Sequence, residues 1–360
     1  YLASNVSPDN KRVYEERVKP AFEKKHGRAP KDRHEVRKVM AKDDHYQAWS
    51  SLLRTSQEMM WDSVRTSVQR QLTDLIKKAK KFDGKGAKAG GTLTLDPGFK
   101  IPKYHTAVDI HCMPGGYHTE LTAEDVAAGA VYDRAVYLYA MGRMGPYNDD
   151  IGASMAAWIK AKFPDLKPKR ILDMGCSVGH SSVPYKLIWP DAEVHAIDVG
   201  APMLRYAHAR AETLGIPIHF SQQNAEKTDF EDESFDLIVS HILVHETSGS
   251  AFRNIMKECN RLLKPGGVVA HSETPPYEGM DPYDAFLLDW DTYNNNEPFW
   301  GASHEIKPEK AAKDAGFDPK SAFSGMAPSA FEAAQNKRTN VFQGGDFGGG
   351  GMWYVFGARK

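Results

Sequence analysis

Arg170-Ile171-Leu172-Asp173-Met174-Gly175-Cys176-Ser177-Val178-Gly179 is the stretch on which the reading of this chain turns. Its first half is a short apolar strand, and its second half is a glycine-containing turn that leads into a helix. Glycine lets a backbone turn sharply and approach a ligand with no Cβ in the way. The free N–H groups of the helix that follows can face an anionic group. Asp198 stands 25 residues beyond Asp173, at the end of the next expected strand. A carboxylate there accepts hydrogen bonds from both ribose hydroxyls, which suits a nucleoside of more than one kind. A dinucleotide fingerprint has the order GxGxxG, so that a pyrophosphate sits on the helix. Here the order is DxGxSxG. An acid ahead of the first glycine repels a pyrophosphate and attracts an ammonium group, so the pattern favours a nucleoside that carries an amino acid.

Outward from this stretch, strands and helices alternate, as in a parallel sheet covered on both faces. Further strands are expected at Ala192–Ile197, Ile216–Ser221, Phe235–Ser240 and from Val268, with final strands at Phe317–Phe323 and Trp353–Phe356. Ala201–Leu214 reads as a helix, with Pro202 near its first position and Gly215 just past its end. Phe252, Ile255, Met256, Cys259, Leu262 and Leu263 mark an amphipathic helix that Pro265-Gly266-Gly267 should stop. In such open sheets ligands lie beyond the carboxyl ends of the strands, where the order of connection reverses.

Residues 170–270 resemble the core of class I S-adenosylmethionine-dependent methyltransferases, particularly the branch that includes ubiquinone- and menaquinone-biosynthesis enzymes. The stretch from Arg170 to Gly179 is similar to their first motif, and Ala196-Ile197-Asp198 to their acidic ribose motif. Asn224-Ala225-Glu226 resembles the adenine-contacting segment. Ser234-Phe235-Asp236-Leu237-Ile238 and Arg261-Leu262-Leu263-Lys264-Pro265-Gly266-Gly267 complete the order. The resemblance implies a Rossmann-like, doubly wound, mostly parallel α/β sheet of seven strands, with S-adenosyl-L-methionine as cofactor. The cofactor-binding residues it implies are Asp173, Gly175, Cys176, Ser177, Gly179, His180, Asp198, Val199, Asn224, Ala225, Glu226 and Ser240. One departure is Ser177, where the commonest first motif has a glycine. The implied reaction is in-line attack of a nucleophile on the sulfonium methyl, driven largely by positioning.

Groups that face the methyl should follow strand ends. His241 and His245-Glu246 follow the fourth strand and Glu273 follows the fifth. Histidine titrates near neutral pH and can take a proton from a hydroxyl or amine. His245 ranks first, ahead of Glu246, Glu273 and His241, although many such reactions need proximity alone. Tyr104–Glu120 contains His105, Asp109, His111, Cys112, His118 and Glu120. Their spacing matches no standard ligand motif, so the expectation is no metal and a lid that excludes water, together with Tyr132–Tyr139. The segment Asp281–Trp300 carries Tyr283, Phe286, Trp290, Tyr293, Phe299 and Trp300. These six form either a substrate wall or a core with the helical arm. The run Gly344–Gly351 reads as a loop before the last strand.

Residues 1–90 read as a helical accessory arm, with a stripe from Trp49 to Ile76 and shorter helices at Val13–Phe22 and His34–Met40. A flexible joint follows at Asp83–Gly91. Residues 91–120 form a linker or lid, and 121–360 the α/β domain, with inserts at about 275–305 and 325–350 and a helix capped by Thr122. The arm holds 21 Lys/Arg against 12 Asp/Glu, while the chain as a whole has a net charge of −1. That asymmetry suits an anionic partner, the acidic remainder of a second subunit, or simply solvated helix faces. The arm therefore either covers the active site or mediates a homodimer. No aromatic-rich nucleic-acid module accompanies the basic residues, and no apolar run is long enough to span a bilayer. Cys112, Cys176 and Cys259 lack the pairing of a zinc site or disulfide framework, which fits a cytoplasmic location. The expected function is methyl transfer to a small, apolar or aromatic molecule. A non-catalytic binding protein on the same fold and a nicotinamide-dependent oxidoreductase are the alternatives.

Overall fold

The computed structural model describes residues 6–334 and 352–360. Their strands are β1 (Thr92–Thr94), β2 (Arg170–Met174), β3 (Glu193–Asp198), β4 (His219–Gln222), β5 (Phe235–His241), β6 (Leu263–Glu273), β7 (Ala322–Pro328) and β8 (Met352–Arg359). They make one sheet in the order β1-β4-β3-β2-β5-β6-β8-β7. Pairings from β1 through β6 are parallel, and β8 runs antiparallel to both β6 and β7. The order of connection reverses at β2, between β3 and β5. Met174 is level with Ile197 on one side and Ser240 on the other, and His241 is level with Ser272. This register sets the carboxyl ends of β2, β3, β5 and β6 side by side.

The sheet has one strand more than expected, contributed by the segment read as a linker. β1 covers the outer edge of β4, which would otherwise present unpaired backbone groups. Gly91 makes the approach feasible, because a Cβ there would lie 2.7 Å from the Ile218 carbonyl oxygen. Glu212 holds the entry by accepting the Ala89 and Gly91 N–H groups, each at 2.8 Å.

Alternation along the strands fills both faces. Ile171 packs with Met155, Ile159 and Leu204 on one side, while Leu172 packs with Ile255, Met256 and Leu262 on the other. β6 begins at Leu263, earlier than expected. Pro265-Gly266-Gly267 is taken into its irregular start, where the register with β5 shifts. Pro319–Ser321 is a 3-10 turn capped by Asp318, so β7 starts only at Ala322. The helix assigned to Thr122 begins instead at Ala127 (Ala127–Tyr139), with Val126 as its N-cap, and Asp125 just ahead of it accepts the Ala127 N–H at 2.6 Å. The run Gly344–Gly351 and the insert at about 325–350 lie largely outside the described residues.

The expected stripe from Trp49 to Ile76 divides into the helices Asp44–Gln69 and Leu72–Lys80, because Gln71 leaves helical geometry. Asp43 caps the first of these through the N–H groups of His45 and Tyr46. One half of its buried face sets Trp61, Val64 and Val68 against Ala127, Ala128, Val131 and Ala135. The other half sets Tyr46 and Trp49 against Tyr283, Phe286 and Trp290. Those three insert aromatics therefore build a core with the helical region. Part of the basic charge of that region is answered within the chain: Arg33 and Arg37 both reach the Asp289 carboxylate, at 3.3 and 3.2 Å. No helix among the described residues is long and apolar enough to cross a membrane, and all three cysteines are free and buried.

Candidate active site

The turn after β2 carries three residues with left-handed backbone: Gly175, Ser177 and Gly179, with φ of 71°, 50° and 73°. Gly175 also allows a close approach, since a Cβ there would come within 2.6 Å of Leu243 Cδ1. Asp173, at the strand end before the turn, is 1% exposed. It accepts from Ser182 Oγ at 2.6 Å and lies 3.3 Å from His241 Nδ1. Asp198 ends β3 and braces the turn by accepting the Ser177 N–H at 2.9 Å and the Gly200 N–H at 2.8 Å. Burial raises its pKa in spite of those bonds. Asp173, Gly175, Cys176, Ser177 and His180 line one pocket, and His241, His245 and His111 line it too.

Beside this turn lies a group of histidines and carboxylates that four separate parts of the chain bring together. His245 and Glu246 lie in the 3-10 turn Val244–Glu246 after β5, Glu273 ends β6, and His111 comes from the turn Ile110–Cys112. Glu297 comes from the insert. His245 Nδ1 lies 2.7 Å from Glu273 Oε2, and His111 Nδ1 lies 2.8 Å from Glu297 Oε1. His111 Nε2 is 3.2 Å from Glu246 Oε1, and His245 Nε2 is 3.8 Å from Glu297 Oε2. Burial opposes charge on His245, but Glu273 and the neighbouring carboxylates outweigh it and hold the ring at about 9. His111 is likewise raised against burial, by Glu297 and Glu246. Glu246 and Glu273 are both lowered, since the histidines outweigh burial there.

Residues 171–267 match the family model of a methyltransferase domain. This segment is a methyltransferase domain. A demethylmenaquinone methyltransferase of Thermus thermophilus is 33% identical over 132 residues, which is 35% of this chain and 54% of that protein. A malonyl-[acyl-carrier protein] O-methyltransferase of Methylococcus capsulatus is 32% identical over 126 residues, 34% of this chain and 43% of that one. The chain thus spans about half the length of the curated relatives it matches. Among solved structures, phosphoethanolamine N-methyltransferase 2 of Haemonchus contortus, in complex with S-adenosyl-L-methionine, is 18% identical. That match has a TM-score of 0.42 over 63% of this chain and 57% of that one.

Several residues singled out in the sequence lie around this pocket and others turn elsewhere. His180 lines the pocket, with Nε2 at 2.5 Å from Asp133 Oδ1. His241 is pinned by Tyr185 Oη at 3.0 Å. The Ser240 hydroxyl turns to His271 Nδ1, 2.7 Å away within the sheet. The Val199 carbonyl accepts from Gln222 Nε2. Asn224 Oδ1 accepts the Glu226 N–H, and Ala225 is buried. The Glu226 carboxylate is taken by Tyr104 Oη at 3.2 Å and Asn254 Nδ2 at 2.8 Å. Residues 104–117 thus reach the ends of β3 and β4. A Cβ on Gly200 would lie 2.6 Å from the Tyr117 carbonyl oxygen.

Sequence reasoning missed Gln57, Trp61, Asn295 and Glu297. Gln57 and Trp61 sit one helical turn apart on Asp44–Gln69 and donate to the His111 carbonyl oxygen at 2.7 and 2.8 Å. Asn295 donates to Asp291 and Glu297 and accepts from Gln57. The spacing of Gln57 and Trp61 hinted at a shared helix face, but no local pattern tied that face to His111 or Glu297. Of the insert aromatics, Trp300 lines the pocket.

Proposed function

We propose that this chain transfers the methyl group of S-adenosyl-L-methionine to a small acceptor held against the histidine–carboxylate group. The observation that carries this reading is a single pocket bounded by the Asp173–Ser177 turn on one side and by His111 and His245 on the other. The donor set suits the cofactor. Asp173 offers a carboxylate to an ammonium group, the Gly175–Gly179 turn offers backbone, and Asp198 offers a carboxylate to a ribose diol. When bound, the cofactor supplies a methyl carbon on a positively charged sulfur.

The residues of the chain would then act on the acceptor. Glu246, kept ionised by the histidines, is the group suited to take a proton from the nucleophile. His245, held at about 9, is protonated at neutral pH and suits a donor role in place of the base role expected of it. Trp61, Tyr132, Met144, Ile151 and Trp300 give the pocket apolar walls. Such walls exclude water and match an acceptor with an apolar or aromatic body and one polar reacting atom. We assign the helical region to this pocket and not to a second copy, because Trp49, Trp61, Val64 and Val68 bury their apolar surface within their own chain.

Calorimetric titration with S-adenosyl-L-methionine, S-adenosylhomocysteine and NAD tests the reading. Binding of the two sulfur nucleosides without NAD is expected. Binding of NAD alone, or of none of the three, would overturn it. Transfer of labelled methyl to a panel of aromatic hydroxyls, amines and thiols then tests the acceptor class.

A further inference from the structure

We infer that His111, His245 and Glu246 bind a divalent first-row transition-metal ion at the acceptor end of the pocket. One donor atom from each lies within 4.8 Å of the others, the one such group of three among the described residues. Ligands about 2.1 Å from a tetrahedral ion stand roughly 3.4 Å from one another. The separation of His111 Nε2 from Glu246 Oε1 is already 3.2 Å, so little movement is needed to admit an ion.

Two features set this group apart from an ordinary buried ion-pair network. First, each histidine has its Nδ1 held by a separate carboxylate, Glu273 for His245 and Glu297 for His111. That arrangement fixes the ring and turns Nε2 toward the centre, as it does for histidines that bind metals. Second, His245 Nε2 and Glu246 Oε2 are buried with no hydrogen-bond partner among the described residues, and the His245 side chain is fully buried. A buried polar atom without a partner is costly, and a metal–ligand bond removes that cost. Tyr117 Oη engages the other oxygen of Glu246 at 3.2 Å. His111 has left-handed backbone, with φ of 54°, and Gln57 and Trp61 pin its carbonyl.

Two histidines and one carboxylate leave coordination positions open toward the pocket. An ion there would bind the acceptor through a hydroxyl, thiol or amine and lower its pKa. In that arrangement Glu246 and His245 serve as ligands and not as proton-transfer groups, so the proton released passes to Glu297, whose Oε2 also lacks a hydrogen-bond partner among the described residues and lies 3.8 Å from His245 Nε2. This use of the ion rests on the methyl-transfer reading; the ion site itself does not. The other histidines of the segment, His105 and His118, lie with ring centroids 5.8 Å apart and outside the group.

The test is a titration of chelator-treated protein with Co2+, followed by visible absorption, with Zn2+ as competitor. One Co2+ per chain is expected, displaced by one Zn2+. His111→Ala and His245→Ala should each abolish the band, and Glu273→Gln should weaken binding about 10- to 100-fold. His105→Ala should bind as the wild type does. Glu246→Gln keeps the shape of the side chain and removes its charge, so it remains informative where an alanine variant misfolds; it too should lose the ion. No stoichiometric binding by the wild type, wild-type affinity in Glu246→Gln, or loss of the ion in folded His105→Ala would each overturn the assignment. Titration of the same samples with S-adenosyl-L-methionine separates the two readings. Cobalt bound at these residues without cofactor binding upholds the metal site and overturns methyl transfer.

Discussion

Asp198 shows how one residue serves structure and ligand together. Its two oxygens accept the Ser177 and Gly200 N–H groups, which shapes the turn beside the pocket, and their remaining lone pairs are those a ribose diol would use. Asp198→Ala should weaken binding of S-adenosyl-L-methionine by about 2–4 kcal/mol, because charge-assisted hydrogen bonds are lost. Calorimetry on a folded variant checks this, and unchanged affinity would displace the ribose from that strand end. Trp61 acts at one remove. Trp61→Phe keeps most of the ring but leaves the His111 carbonyl with Gln57 as its donor. A loss of roughly 1 kcal/mol in urea unfolding is expected, along with weaker cobalt binding, because the turn that aims His111 is less firmly held.

Among the elements, the helix Asp44–Gln69 has the widest reach. Its two halves bury apolar side chains in separate clusters, one on Ala127–Tyr139 and one on the insert, and Gln57 stands between them at the pocket. A chain that starts at Gly90 would expose both clusters. Deleting any one large buried side chain costs roughly 3–5 kcal/mol, and this deletion removes Trp49 and Trp61 together. Such a chain should lose cooperative thermal unfolding, followed by circular dichroism; a cooperative melt at the full-length temperature would show that the α/β part stands alone. At this scale the helices and strands were largely legible. Ala127–Tyr139 and β2 through β5 were announced by periodicity and by turn residues, whereas β1 was not. Thr92-Leu93-Thr94 is too short for periodicity to register, and its strand character comes from the edge of β4.

The molecule as a whole should be sensitive to acid. His271 and His304 are buried, and burial lowers each to about 4. An unfolded histidine binds its proton near 6.5, so between about 6.5 and 4 the unfolded chain takes up protons that the folded chain refuses. Stability is therefore intact above 6.5 and is lost as the pH falls toward 4, by roughly 3 kcal/mol for each ring. Urea unfolding at pH 7.5 and 4.5 checks the sign, and His271→Gln should remove its share of the difference. A His271→Gln variant with the same loss of stability between pH 7.5 and 4.5 as the wild type would mean that this ring is not held neutral.

The sequence by itself determined the strand–turn–helix of Asp173–Gly179, the acid at Asp198 and the alternation of strands and helices along the chain. Those features are local: each depends on backbone geometry and side-chain chemistry within a few residues. Only the tertiary structure decided that His111 meets His245, Glu246 and Glu297, that Gln57 and Trp61 hold it there, and that Tyr283, Phe286 and Trp290 form a core and not a substrate wall. These partners stand up to about 240 residues apart in the chain, as Tyr46 does from Phe286. What brings them together is the burial of apolar faces on separate helices, which leaves no spacing in the sequence to read.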